Sequence, residues 1–106
     1  MDNSFESMVN GMLEKFSRGY DCAMAEWKAD RRNPFKDGKF LGYYEAKEIL
    51  TRCLDAGGDA FNAALEELAR LYSGAMEEWK ADRRNPFKDG RFLACFEVLK
   101  MIPAAV

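Results

Sequence analysis

The thirteen-residue string EWKADRRNPFKDG occurs twice in this chain, at Glu26–Gly38 and again at Glu78–Gly90. Sliding the sequence on itself by 52 residues extends the match to Leu13/Leu65, Tyr20/Tyr72, Ala23-Met24/Ala75-Met76, Phe40-Leu41/Phe92-Leu93 and Glu45/Glu97. Self-similarity at a fixed period marks one supersecondary unit present in tandem, and such a unit buries its apolar face against its neighbour. A chain of 106 residues suits one small domain with a single core. The expected organisation is therefore a single domain, 1–106, with one repeat at about 4–54 and the other at about 57–106.

Each half opens with a helical pattern. Phe5, Met8, Met12, Phe16, Tyr20, Ala23 and Trp27 recur at three- and four-residue steps, as do Phe61, Leu65, Leu68, Tyr72, Ala75 and Trp79. Alternation of period two is absent, which argues against strands. Pro34 and Pro86 disfavour α geometry for Asn33 and Asn85, so each long helix stops at or before its asparagine. Asp37 and Asp89 are then candidate caps for the next helix, with Gly38 and Gly90 in its first turn. Phe40, Leu41, Tyr44, Ile49 and Leu50 supply the apolar content of the second helix, and Phe92, Leu93, Phe96, Val98 and Leu99 that of the fourth. Asn3 or Ser4 caps the first helix and Asp59 the third, while Asp55-Ala56-Gly57-Gly58 breaks the chain between the halves. The predicted fold class is all-α: four helices, at about 4–31, 38–54, 59–83 and 90–102, forming two tandem helix–loop–helix hairpins packed into one small bundle. The relative placement of the two repeated loops is left open by the sequence.

Chemistry is sparse. The chain has no histidine, which removes the usual general base near neutral pH and the commonest metal ligand. No nucleophile–base pair or metal cluster is visible, so the reading is non-enzymatic, with no catalytic residue, metal or cofactor. Cys22, Cys53 and Cys95 have no CxxC spacing and leave one odd, which points to a reducing cytoplasm rather than a disulfide framework. The opening MDNSFESM is acidic and polar, unlike a signal or transit peptide. No apolar run reaches the ~20 residues of a membrane span.

Charge singles out the repeated string. With the residue that follows it, each copy carries five Lys/Arg against three Asp/Glu, a balance of +2; the chain total is −2, leaving −6 elsewhere. An acidic body with two basic corners results. Structure accounts for Trp27, Trp79, Pro34, Pro86, Phe35 and Phe87 as helix-end rings in the core, helix stops and plugs under the loops. The charges are the residues left for a partner: Arg31, Arg32, Lys36, Arg83, Arg84 and Lys88. Arginine beside aromatics suits a protein interface and also nucleic acid, but an isoelectric point near 5.2 disfavours a polyanion. Glutamates such as Glu66-Glu67 and Glu77-Glu78 offer a further surface, able to occupy a basic nucleic-acid-binding face on another protein. Self-association through the duplicated faces is also compatible, so monomer and homodimer both stand.

The stretch Arg18–Ala46, RGYDCAMAEWKADRRNPFKDGKFLGYYEA, resembles the bacterial ribosome modulation factor and related short phage proteins. Arg18-Gly19-Tyr20, Pro34-Phe35, Leu41-Gly42-Tyr43 and Ala46 follow that family's outline of a helix, a proline-aromatic turn and a second helix. In the second half Tyr72 and Pro86-Phe87 remain and Leu71 replaces the glycine. The resemblance implies a helical hairpin and, for that family, binding to ribosomal RNA and protein. In size, acidity and lack of catalytic groups the chain is also similar to phage-encoded inhibitors, including anti-CRISPR proteins, which act by covering a nucleic-acid site on a host complex in the host cytoplasm. The leading expectation is a non-enzymatic inhibitor of that kind. A ribosome- or RNA-associated regulator is the alternative.

Overall fold

The computed structural model describes residues 4–56 and 60–102, excluding the side chains of residues 4 and 5. The described residues form four helices and no strand: α1 (Ser4–Ala29), α2 (Pro34–Ala56), α3 (Phe61–Ala81) and α4 (Pro86–Lys100). The all-α expectation holds, and the helix starts are corrected. α2 and α4 begin at their prolines, four residues before Gly38 and Gly90. Proline suits the first helical position because its φ is preset and the N–H it lacks would be unpaired there. The asparagine then becomes the cap. Asn85 Oδ1 accepts from the backbone N–H groups of Phe87 at 3.0 Å and Lys88 at 3.3 Å, and Asn33 Oδ1 accepts from Lys36 N–H at 3.2 Å. Asp37 and Asp89, the expected caps, sit inside the helices and donate their backbone N–H to the Asn33 and Asn85 carbonyls. α2 also runs through Asp55 and Ala56, expected as part of the breaker. Asn3, Asp59, Gly57 and Gly58 lie outside the described residues, as do the side chains of Ser4 and Phe5.

The most extensive helix–helix contact joins α2 to α4; α1 packs on α2, α3 packs on α4, and α2 touches α3. Glycine explains the closeness of the central pair. A Cβ on Gly38 would lie 2.8 Å from the Phe87 carbonyl carbon and nearer still to its oxygen, and a Cβ on Gly90 would lie 2.9 Å from the Phe35 carbonyl carbon, also nearer to its oxygen. One turn on, a Cβ on Gly42 would come within 2.7 Å of Ala94 Cβ. Residue numbers rise together along both helices, so α2 and α4 run parallel. The contact is reciprocal, as at a two-fold interface: Gly38 meets Phe87, and Gly90, its equivalent one repeat later, meets Phe35.

Small residues fill this seam and larger ones flank it. Ala46, Leu50 and Cys53 of α2 and Ala94 and Val98 of α4 are buried together with Val9, Met12, Phe16, Ala64 and Leu68 of the outer helices. Full burial of a side chain such as Phe16, Met12, Leu50 or Leu68 contributes roughly 1.5–3 kcal/mol each. Of the residues expected to supply the apolar content of the inner helices, Ile49, Leu50 and Val98 are buried, whereas Tyr44 is 45% and Phe96 38% exposed. The parallel seam takes the glycine–alanine face of each inner helix and turns these aromatics outward.

Candidate partner-binding corners

Each repeated loop is built by the same bonds. At the first, Asp30 N–H donates to the Trp27 carbonyl and Asn33 N–H to the Asp30 carbonyl; at the second, Asp82 donates to Trp79 and Asn85 to Asp82, all at 3.1–3.2 Å. Asn33 Nδ2 reaches Asp30 Oδ2, and Asn85 Nδ2 reaches Asp82 Oδ2, each at 3.4 Å. Because the two loops lead directly into the turns that touch at Gly38 and Gly90, both lie at the same end of the α2–α4 pair. This placement, open in the sequence, brings the two basic corners to one end of the molecule.

The six expected contact residues divide into three kinds. Lys36 and Lys88 fold back onto Asp30 and Asp82 at 3.7 Å and are half-buried. Arg31 lies over the Trp27 ring, 5.0 Å from its centroid, and Arg83 over Trp79 at 4.8 Å. Arg32 and Arg84 are exposed and make no hydrogen bond or ion pair among the described residues. Each corner therefore presents one guanidinium fixed on a ring and one free beside it. The tryptophans are not core rings as expected. They are half-buried, each stacked on the next helix: Trp27 on Phe40 at 4.9 Å and 17°, Trp79 on Phe92 at 4.7 Å and 16°. A helix-end aromatic with a cation on one face needs a partly open position.

Three features near the corners escape the sequence reading. Tyr20 continues the first aromatic row, 5.3 Å from Phe40 and 6.3 Å from Tyr44, and Tyr72 lies 5.6 Å from Phe92. Arg91 ties three helices together: its guanidinium donates to both oxygens of Glu45, at 2.9 and 3.0 Å, and to Glu78 at 2.6 Å. The Glu45 hydrogen bonds hold its pKa above the usual arginine value, against a smaller desolvation effect, so it stays charged. Across the seam, the Tyr43 hydroxyl donates to Glu97 at 2.5 Å. Burial first, and then that bond, push Tyr43 well above the ordinary phenol range and keep it a donor. Glu45 and Glu97, one repeat apart, thus receive different partners from the opposite inner helix.

The described residues hold no group of three or more His, Cys, Asp or Glu side chains placed to bind a metal. Burial pushes the Cys95 thiol up to about 11 and also raises Cys53, which leaves neither a ready nucleophile near neutral pH. No described helix is long and apolar enough to cross a membrane. The chain matches no family model, no curated protein and no solved structure.

Proposed function

We propose that this chain is a non-catalytic binding protein that inhibits a nucleic-acid-handling host complex by covering part of it, as phage-encoded inhibitors of the anti-CRISPR type do. The observation that carries the reading is the pair of identical corners at one end of the molecule, each with an arginine stacked on tryptophan and a free arginine beside it. Holding Arg31 and Arg83 on rings reduces the rotamer freedom they lose on docking, and Arg and Trp are the residues that most often anchor protein interfaces. Away from the corners the chain is acidic, which suits a basic nucleic-acid-binding face and repels nucleic acid itself. The site of action is the cytoplasm of the host cell. Several residues that carry the resemblance to ribosome modulation factor have local structural roles: a Cβ on Gly19 would strike the Tyr43 ring, Gly42 meets Ala94, and Pro34 opens α2. These roles support a helical hairpin and bear on packing alone.

Affinity capture from bacterial lysate, with and without nuclease and read by mass spectrometry, tests this. The expected result is a protein complex that survives nuclease and is lost when Arg31, Arg32, Arg83 and Arg84 are all changed to Glu. Recovery of ribosomal components that nuclease abolishes, together with direct RNA binding that weakens steeply with salt, would replace the inhibitor reading with the ribosome-associated one.

A further inference from the structure

A cavity of about 320 Å³ is lined by Tyr20, Asp37, Phe40, Leu41, Tyr44 and Phe87. Phe87 comes from the other repeat, carried there by the α2–α4 seam. The rings are not stacked: Tyr20 is inclined 42° to Phe40 and 39° to Tyr44, as the walls of a concave surface are. Asp37 is half-buried, and its carboxylate makes no hydrogen bond or ion pair among the described residues. Tyr44 is 45% exposed at the edge.

Three physical arguments narrow what such a site takes. An anion would meet the Asp37 charge and the negative faces of the rings. A neutral apolar group would bury the carboxylate without a partner, which is costly. A cation satisfies both, since aromatic faces attract cations by about 0.5–2 kcal/mol each. Tyr20 already carries the chain's own cation, with Lys47 Nζ 4.5 Å from its ring centroid, which leaves Tyr44 as the exposed ring for an incoming one. The neighbouring groove shares Leu41 and Phe87, and its charged residues are Glu45, Glu78 and Arg91. With Lys47 beside Tyr20 these groups sum to zero, so the net negative charge at the cavity is that of Asp37. In the second repeat Lys100 lies over Phe96, the equivalent of Tyr44, at 4.4 Å. That ring is covered by the chain's own cation.

We infer that the cavity formed by Tyr20, Phe40, Tyr44, Phe87 and Asp37 receives the guanidinium of an arginine side chain from the partner protein. Guanidinium is planar, weakly hydrated, stacks on aromatic faces and pairs with carboxylate through two parallel hydrogen bonds. The volume suits an arginine with part of its stem better than a bare ammonium. The inference rests on the reading that this acidic chain covers a basic, nucleic-acid-binding face, where arginines are abundant.

The test needs no partner. Nα-acetyl-arginine methylamide is titrated into the isotope-labelled chain by NMR, with the citrulline analogue as a control of the same shape and no charge. The expected result is saturable shift changes centred on Tyr20, Asp37, Phe40 and Tyr44, with a dissociation constant in the millimolar range, and none with citrulline. Asp37→Asn weakens binding several-fold, Tyr44→Ala abolishes it, and Lys47→Gln strengthens it by freeing the Tyr20 face. Tyr44 is exposed and Asn is close in shape to Asp, so both variants retain the fold, checked by thermal unfolding. Equal response to citrulline, absence of any response, or unchanged binding in both Asp37→Asn and Tyr44→Ala would overturn the inference. Such a failure alongside corner-dependent partner capture removes the cavity and leaves the proposed function standing. Arginine binding without corner-dependent capture does the reverse.

Discussion

Gly19 and Tyr43 form a pair whose meaning emerges one repeat later. A Cβ on Gly19 would fall 2.8 Å from Tyr43 Cζ and nearer still to the ring edge, so the glycine makes room for the ring. At the equivalent positions the second repeat carries Leu71 and Cys95. Bulk has moved from the inner helix to the outer one. Tyr43 and Cys95 are both buried, so each α-helical pair is filled by its own division of volume. Gly19→Leu alone overpacks the site and is expected to cost about 1–3 kcal/mol. Tyr43→Cys alone leaves a void and removes the hydrogen bond to Glu97, at a cost of about 3–5 kcal/mol by analogy with buried aromatic truncations. The double variant rebuilds the second repeat's combination inside the first and should be more stable than the sum of the singles by about 1–2 kcal/mol. Urea unfolding of the four proteins measures that coupling; strict additivity would mean that the positions do not exchange volume.

The inner helices show which parts of an element can be read from its letters. Helix number followed from three- and four-residue spacing, and the Asn-Pro punctuation marked both loops. α2 and α4 start earlier than the capping ability of Asp37 and Asp89 suggests, because Pro34 and Pro86 suit the first helical position better than an aspartate cap four residues on. The buried face cannot be read from the large apolar residues alone. Phe40, Leu41 and Tyr44 are large apolar residues, the usual markers of a core, whereas Gly38, Gly42 and Ala46 carry almost no hydrophobic signal. Yet only the small face lets two backbones come together, and Gly38 and Gly42 are buried in the seam. At the corners the charges were legible in the letters. The stacking of Arg31 on Trp27 was not, because a tryptophan at helical spacing reads as core and nothing local says which ring face stays open. The seam makes a direct prediction about glycines that look alike in sequence. Gly38→Ala or Gly90→Ala drives a methyl into a facing carbonyl and should destabilise by about 1–3 kcal/mol or more. Gly74→Ala, where nothing lies within 4 Å of the added Cβ and the residue is exposed on α3, should stabilise by about 0.5–1 kcal/mol. Thermal melts of the three variants decide it, and a tolerated Gly38→Ala would contradict the backbone contact.

Over the whole molecule, the two repeats differ at buried and exposed positions alike, as at Asp21/Ser73 and Glu48/Lys100, while the repeated string keeps one form. Gly19/Tyr43 became Leu71/Cys95, and Glu45 and Glu97 took different partners. The corners instead keep one geometry: arginine over tryptophan at 5.0 and 4.8 Å, tryptophan on phenylalanine at 4.9 and 4.7 Å, lysine to aspartate at 3.7 Å in both. The fold explains the loop bonds and the prolines but places no demand on Arg32 or Arg84, which are exposed and unpaired among the described residues. The parallel seam sets both corners at one end, so a single partner surface can meet both together. Changing Arg31 and Arg32 to Glu, or Arg83 and Arg84 to Glu, should therefore each weaken binding to the captured complex by about tenfold, roughly 1.4 kcal/mol. Together the losses should multiply, since separated sites that share no partner group add in free energy. Stability should change little, because exposed charge contacts are worth ~0–1 kcal/mol. Surface plasmon resonance on the two half-variants and the full variant reads this directly. If one half-variant binds like the parent, only one corner makes contact and the other serves its loop alone. If the double loss is no larger than either single loss, the corners act as alternatives on one site rather than together.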